Sequence, residues 1–187
     1  MNRIDNKFLI ILDQAIISLS NFIIAILLIK YLGLKEFGFF SFFWILFQLL
    51  NSVQLSFIVS PMLSNAPKYK NENLDSYFGG VFIQQLLFSI IILIVIIFFF
   101  KLYQIFFSNY VTVGLYFPFS LLLIFSHFFQ FSRRYLLNQN DVILIINVDL
   151  ILYILIPLSI YVFKNYFFLN IELVIWIHSL AFFFGCF

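Results

Sequence analysis

The sequence predicts an all-α integral membrane protein: a polytopic bundle of five complete transmembrane helices and one partial one. Two observations carry that reading. Of 187 residues, 64% are hydrophobic and only 10% are charged, against about 25% charged in an average soluble domain. The apolar residues also recur in stretches of about 20, the length a helix needs to cross a hydrocarbon core of roughly 30 Å. Ten Lys plus Arg against eight Asp plus Glu leave a net charge of +2, too small and too scattered to attract nucleic acid. A single cysteine, Cys186, supports neither an internal disulfide nor a zinc site. The thirty phenylalanines are read as a bias of composition and lipid-facing filler, without functional weight.

The spans follow in order. The first is expected from Phe8 to Leu32 and the second from Phe39 to Leu63, joined by a tight Gly33 to Gly38 connection. The third is expected from Val81 to Phe100, the fourth from Val111 to Phe131 and the fifth from Val142 to Phe163. The sixth begins near Ile171 and reaches Phe187 without a polar flank or basic anchor, so residues 1–187 are expected to be a single transmembrane lobe whose second lobe is missing. The first span is too long for a signal-peptide core, is interrupted by Asp13, and is followed by no small-residue cleavage site. Arg3, Lys7, Lys68, Lys70, Arg133 and Arg134 would be cytoplasmic with the N-terminus inside, against Lys30, Lys35, Lys101 and Lys164 outside, a modest positive-inside preference. The longest polar connection, Ser64 to Tyr77, is expected to be a solvated loop, too short to form a domain.

Polar residues inside these spans narrow the function. An ionisable side chain at a helix centre costs roughly 2.5 to 3.5 kcal/mol on the insertion scale, so those that persist face a bundle interior or an aqueous cavity. Asp13, Gln14, Ser18, Ser20 and Asn21 fall within about 160° of arc on the first span at 100° per residue. The second span carries Trp44, Gln48 and Ser52 at successive i+4 steps with Asn51 beside them, while Gln54 falls off that stripe. Gln85 and Ser89 repeat the spacing on the third span, and Ser126, His127 and Gln130 on the fourth. His127 is read as a satisfied bundle residue rather than a proton carrier, and His178, in the partial span, is assigned no role. Asn147 and Asp149 are about 200° apart on the fifth span and cannot share a face, and Pro157 is expected to open the helix ladder there. Asp13 and Asp149 lie at similar depth, roughly 8 and 10 Å into parallel spans. If they meet, one must be protonated or a cation must sit between them. Arg133 and Arg134 suit either interfacial anchoring or a lipid phosphate or pyrophosphate headgroup. No phosphate loop, nucleophile elbow or paired-aspartate loop is present, so no catalytic residue and no metal ligand is predicted, and the expected activity is not enzymatic.

Two segments carry a family resemblance. Leu12 to Leu63 holds the Asp13-Gln14 pair, Asn21, the Gly33-Leu34-Lys35-Glu36-Phe37-Gly38 turn and Ser60-Pro61-Met62; Phe131 to Tyr153 holds the Arg pair followed by Asn147 and Asp149. Together they resemble the polysaccharide exporters, or O-antigen flippases, of the multidrug, oligosaccharidyl-lipid and polysaccharide exporter superfamily. The resemblance implies the N-terminal half of a two-lobe, alternating-access transporter of the bacterial inner membrane, N-terminus cytoplasmic. The implied substrate is an undecaprenyl-pyrophosphate-linked oligosaccharide for O-antigen or capsule assembly, with membrane lipids, a glycan polymerase and other assembly proteins as partners and no nucleic acid. Gln14, Ser18, Asn21, Gln48, Asn51 and Gln85 would line the substrate path. Asp13 with Asn147 or Asp149 would couple a proton or sodium, with no other cofactor. The family's cationic cavity residues have no counterpart here, since none of the first five spans has a Lys or Arg near its middle; the resemblance therefore leaves the headgroup phosphate to Arg133 and Arg134, with Lys7, at the cytoplasmic mouth, or to the absent second lobe. The alternatives are a cation-coupled small-molecule exporter of the same superfamily, a membrane subunit or enzyme of polysaccharide assembly, and a non-transporting scaffold.

Overall fold

The computed structural model describes residues 3–69, 72–107, 111–139 and 141–186. Lys70 and Phe187 lie outside the described residues, as do the side chains of Arg3 and Lys7. Everything described is helix or short connection: α1 (Arg3–Gln54), a π-helical turn (Leu55–Val59), α2 (Ser60–Asn65), a 3₁₀ turn (Ala66–Lys68), α3 (Glu72–Phe107), α4 (Val111–Asn138), α5 (Val142–Tyr166) and α6 (Ile171–Gly185).

Among the described residues four helical runs are long and apolar enough to cross a membrane: Phe8–Lys68, Leu74–Leu102, Gly114–Asn138 and Val142–Tyr166. Five complete spans were expected, and the difference lies in the first run, whose 61 residues contain both of the first two. Helical backbone is interrupted within it only at Gly33, with φ 79° and ψ 167°, a region open essentially to glycine alone. The expected six-residue connection is therefore a single residue. The run doubles back there, because Asp13 bonds Arg133 while Gln54 bonds the His127 carbonyl. Those two α4 positions are about 9 Å apart at 1.5 Å per residue, whereas Asp13 and Gln54 would be about 60 Å apart on an unbroken helix. Gly38 has nothing within 4 Å of an added Cβ, so no close backbone approach depends on it.

Other boundaries move outward. The 3₁₀ turn and the start of α3 take up most of Ser64 to Tyr77, so the expected solvated loop is much shorter, and the Tyr77 hydroxyl donates to the carbonyls of Pro61 and Met62. The π turn has a local cause. Pro61 lacks the N–H that would serve the carbonyl four residues back, and the Ser60 N–H bonds the Leu55 carbonyl instead, one residue wider than an α-helical bond. The fourth span extends to Asn138, which places Arg133 and Arg134 inside α4 rather than beyond its end. The sixth, Ile171–Gly185, is a shorter apolar helix, capped by Asn170, whose side chain accepts from the Leu173 N–H at 2.8 Å.

The first limb of α1 (residues 3–32) and α5 lie side by side and parallel. Asp13 and Asp149 share Arg133, Ser20 bonds Tyr153, and Lys164 lies 4.4 Å from the Tyr31 ring centroid, so the pairing keeps nearly constant register from end to end. The second limb supplies Phe40, Phe43, Phe47 and Leu50 to the main core with Phe100, Phe119, Phe129 and Phe182. Phe43 packs on Phe119 edge-on at 5.3 Å and on Phe100 at 6.0 Å. A smaller cluster of Ile58, Val59, Met62, Phe78, Val81 and Phe131 closes the end that holds the π turn. The outward faces carry Ile11, Phe22, Ile45, Phe57, Ile91, Ile94 and Ile151, as helices bathed in hydrocarbon require.

Gly33→Ala is expected to lower stability by about 1–3 kcal/mol, the cost of forcing a Cβ into this backbone region. Gly38→Ala should be neutral or stabilising, since a helical position gains about 1 kcal/mol from alanine. Denaturation in mixed detergent micelles compares the two, and equal behaviour would remove Gly33 as the reversal point.

Candidate functional site: a buried charge clamp beside two polar strips

The site starts from one guanidinium. Arg133 on α4 is 8% exposed; its Nε donates to Asp149 Oδ2 at 2.7 Å and its Nη2 donates to Asp13 Oδ2. Asp13 and Asp149 are 3% and 1% exposed. One cation thus ties the first limb, α4 and α5 together within their apolar lengths. The expectation that the two aspartates meet at one level is met in this geometry, and the cation between them is the arginine side chain. No group of three or more metal-ligating side chains is found among the described residues. Arg133, expected at a phosphate, is turned inward and spent on carboxylates. Asn147, expected to share the coupling role, is exposed on the other side of α5, as the 200° separation requires.

Asp13 Oδ1, Asp149 Oδ1 and Arg134 Nε are buried without partners among the described residues. Two carboxylates against Arg133 leave one excess negative charge, and Arg134, the next residue, brings the cluster to neutrality. A low-dielectric interior favours that balance, because an uncompensated charge there costs several kcal/mol.

Above the clamp the same interface shows why Pro157 is tolerated. Proline removes the N–H that would bond the Tyr153 carbonyl, and the Ser20 hydroxyl donates to that carbonyl at 2.5 Å. The freed acceptor is satisfied from the neighbouring helix, as membrane helices require. Sequence reading placed Ser20 in the polar arc without a role; its pairing with Pro157 needs the α1–α5 register.

The polar arc of the first limb divides in two. Asp13 and Ser20 join Ile24 and Leu28 on the buried face, while Gln14, Ser18 and Asn21 are exposed. About 80° to 140° of rotation separates the exposed set from Asp13. On the second limb Phe43, Phe47, Leu50 and Gln54 are buried, Asn51 is half-buried, and Gln48 and Ser52 are exposed. Each limb therefore presents an exposed polar strip beside a packed face.

Gln85, expected on the substrate path, is fully buried instead. Its Oε1 accepts from Gln54 Nε2 at 2.8 Å, and its Nε2 donates to Ser89 at 3.3 Å. Gln54 spends its other amide hydrogen on the His127 carbonyl at 2.7 Å. These are interhelical hydrogen bonds joining the second limb, α3 and α4. Gln54 was missed because it lies off the polar stripe; the departure was itself the signal that it faces a different neighbour. His178, assigned no role from the sequence, is a satisfied bundle residue, bonded through Nδ1 to the Val174 carbonyl at 2.8 Å and packed on Trp44 at 5.2 Å. His127, the one expected to be satisfied, is not, since both ring nitrogens lack a partner among the described residues and its ring lies against Phe88 at 5.4 Å.

No family model, no curated protein and no solved structure matches the chain. The class that the fold and the site define is a helical membrane-embedded protein with a charge clamp inside its bundle.

Arg133→Gln is expected to destabilise the fold by about 3–5 kcal/mol, because it strands two buried carboxylates. Adding Asp13→Asn and Asp149→Asn to it should restore much of that loss; if the triple variant is no more stable than Arg133→Gln, the carboxylates are not the source. Ser20→Ala should cost about 1–3 kcal/mol by orphaning the Tyr153 carbonyl, and less in a Pro157→Ala background, where a backbone N–H returns. A double-mutant cycle measured by unfolding in micelles reads that coupling, and additive losses would exclude it.

Proposed function

We propose that this chain is one lobe of an inner-membrane transporter that moves a lipid-linked oligosaccharide from the cytoplasmic to the periplasmic leaflet, its N-terminus cytoplasmic, with the six helical limbs of the bundle each crossing or entering the bilayer. The observation that carries the reading is the pair of exposed polar strips, Gln14, Ser18 and Asn21 on the first limb and Gln48 and Ser52 on the second. Amide side chains turned outward from apolar helices need water, polar substrate or another polar helix face, since hydrocarbon offers them no hydrogen bond. A hydrated sugar chain is matched by amides and hydroxyls rather than by a deep apolar pocket, and its lipid tail stays in the bilayer. The resemblance of the Leu12–Leu63 and Phe131–Tyr153 segments to the O-antigen flippases supports the same substrate class. A second lobe facing the strips would complete the aqueous path, and rocking of one lobe against the other would alternate access.

The clamp fits this role as the pivot of the lobe. It locks three helices at one end, so that the strips keep their spacing while the lobe moves as a body.

Deletion of the gene in its native host, followed by lipid extraction, tests the proposal. The expected result is an undecaprenyl-linked glycan accumulating where periplasmic probes do not reach it, together with loss of surface polysaccharide. Accumulation accessible from the periplasm points to a polymerase or other assembly enzyme. Unchanged glycan with altered drug sensitivity points to small-molecule export. Asn21→Leu with Gln48→Leu should lower glycan export at unchanged protein level, whereas wild-type export would exclude the strips.

A further inference from the structure

The structure divides the two adjacent arginines between different tasks, and we propose that Arg134, not Arg133, is the anion-binding residue of this lobe, receiving a phosphate-type oxyanion in the cavity between the π turn and α4. The proposal deepens the translocation reading, on which it rests for its biological role but not for its chemistry.

Three observations converge. First, a cavity of about 180 Å³ is lined by Asn51, Ser52, Gln54, Leu55, Val59, Gln130 and Arg134. A polar space of that size holds several waters, and so a phosphate group. Among the described residues no carboxylate lines it, and Arg134 is the one charged side chain in its lining. Its mouth lies at Ser52 and Leu55, which are exposed.

Second, the donors needed for an oxyanion are uncommitted there. Arg134 Nε is buried without a partner among the described residues. Asn51 uses its Oδ1 to accept from Ser126, which leaves its amide hydrogens as donors. Gln54, by contrast, has both amide hydrogens engaged with Gln85 and His127 and shapes the wall without donating. Arg133 cannot substitute, because its Nε and Nη2 are held by Asp149 and Asp13.

Third, the two polar strips end at the same residue. Arg134 also lines a second, smaller cavity of about 30 Å³ with Asp13, Gln14 and Arg133. Gln14 begins the first-limb strip and Ser52 ends the second-limb one, so Arg134 stands where the strips converge. A substrate held by its sugars along the strips would bring an attached phosphate to this guanidinium. The π turn matters here: the residues Leu55 and Val59 that it sets out of α-helical register form the wall opposite Gln130 and Arg134, and such bulges often serve binding sites.

The groups facing Arg134 are Asp13 on the first limb, Arg133 on its own helix and Asp149 on α5. The excess carboxylate charge of the clamp attracts Arg134 as well, so an oxyanion competes with it and a free ion is expected to bind weakly. Guanidinium with an oxyanion is nonetheless a charge-assisted, two-pronged pairing.

The test uses the full chain in nanodiscs of phosphatidylcholine, titrated calorimetrically with inorganic pyrophosphate. A parallel preparation in discs containing phosphatidic acid is examined for lipid retained by the protein in native mass spectrometry. Arg134→Gln should weaken whichever ligand binds by about tenfold or more, the loss of a charge-assisted hydrogen bond, and Arg134→Lys should keep part of the affinity. Ser52→Trp closes the mouth without touching the arginine and should abolish binding; it carries the test should Arg134→Gln fail to fold. Arg134-dependent binding of pyrophosphate identifies a free or exposed phosphate as the ligand, and Arg134-dependent retention of phosphatidic acid identifies a lipid headgroup. Binding of neither ligand overturns the proposal, as does wild-type affinity in a folded Arg134→Gln or Ser52→Trp variant. Because no transport is measured, Arg134-dependent binding beside unchanged glycan in the deletion strain would remove the translocation reading and leave this site standing.

Discussion

The Arg133 guanidinium, buried between Asp13 and Asp149, fixes more of this molecule than any other contact. It joins the first limb, α4 and α5 at one level, and the parallel register of the first limb and α5 follows from it through Ser20–Tyr153 to Tyr31–Lys164. Breaking such an arrangement is far more costly than never having built it, because each carboxylate is already desolvated. Arg134 supplies the second positive charge, so that two acidic and two basic groups sit in an apolar bundle without net charge. Where one arginine is fully engaged in holding helices together, its neighbour, about 100° around the helix, remains available for something else.

The other polar contacts follow the same logic of satisfying what a membrane cannot hydrate. Pro157 frees the Tyr153 carbonyl and Ser20 takes it up. Pro61 removes a donor, and the backbone widens to a π turn. Gln54 divides its amide between Gln85 and the His127 carbonyl, joining three helices with one side chain. The interruption at Pro157 is thus met by a tie to a neighbouring helix and that at Pro61 by a local change of helical register. The exposed strips are the exception: Gln14 and Ser52 bond only within their own limbs, no strip side chain is tied to another helix among the described residues, and for that reason they bear on function.

Gly33 shows how little chain a reversal requires. A single residue in a backbone region closed to side chains separates two helices that pack into the same bundle. The helical hydrogen-bond pattern nonetheless runs through it, so that length alone does not separate one crossing from two. The segment's direction is legible only from what its two halves touch.

Much of the architecture was written in composition and periodicity: the apolar runs, the helices, the reversal near Gly33, the depth at which Asp13 and Asp149 meet, and the incompatibility of Asn147 with Asp149. These are properties of one helix at a time, set by bilayer thickness and by 3.6 residues per turn, and so a single sequence contains them. What the sequence left open was the partner of each polar side chain. The first-limb arc read as one face because angular position is known from numbering but the direction of the neighbouring helix is not. Once α5 packs against Asp13, Ser20 and Ile24, the arc splits into a buried half and an exposed half. Gln85 moved from path to packing and Arg133 from headgroup to clamp for the same reason, since a polar residue's role depends on which helix stands opposite, and only tertiary structure decides that.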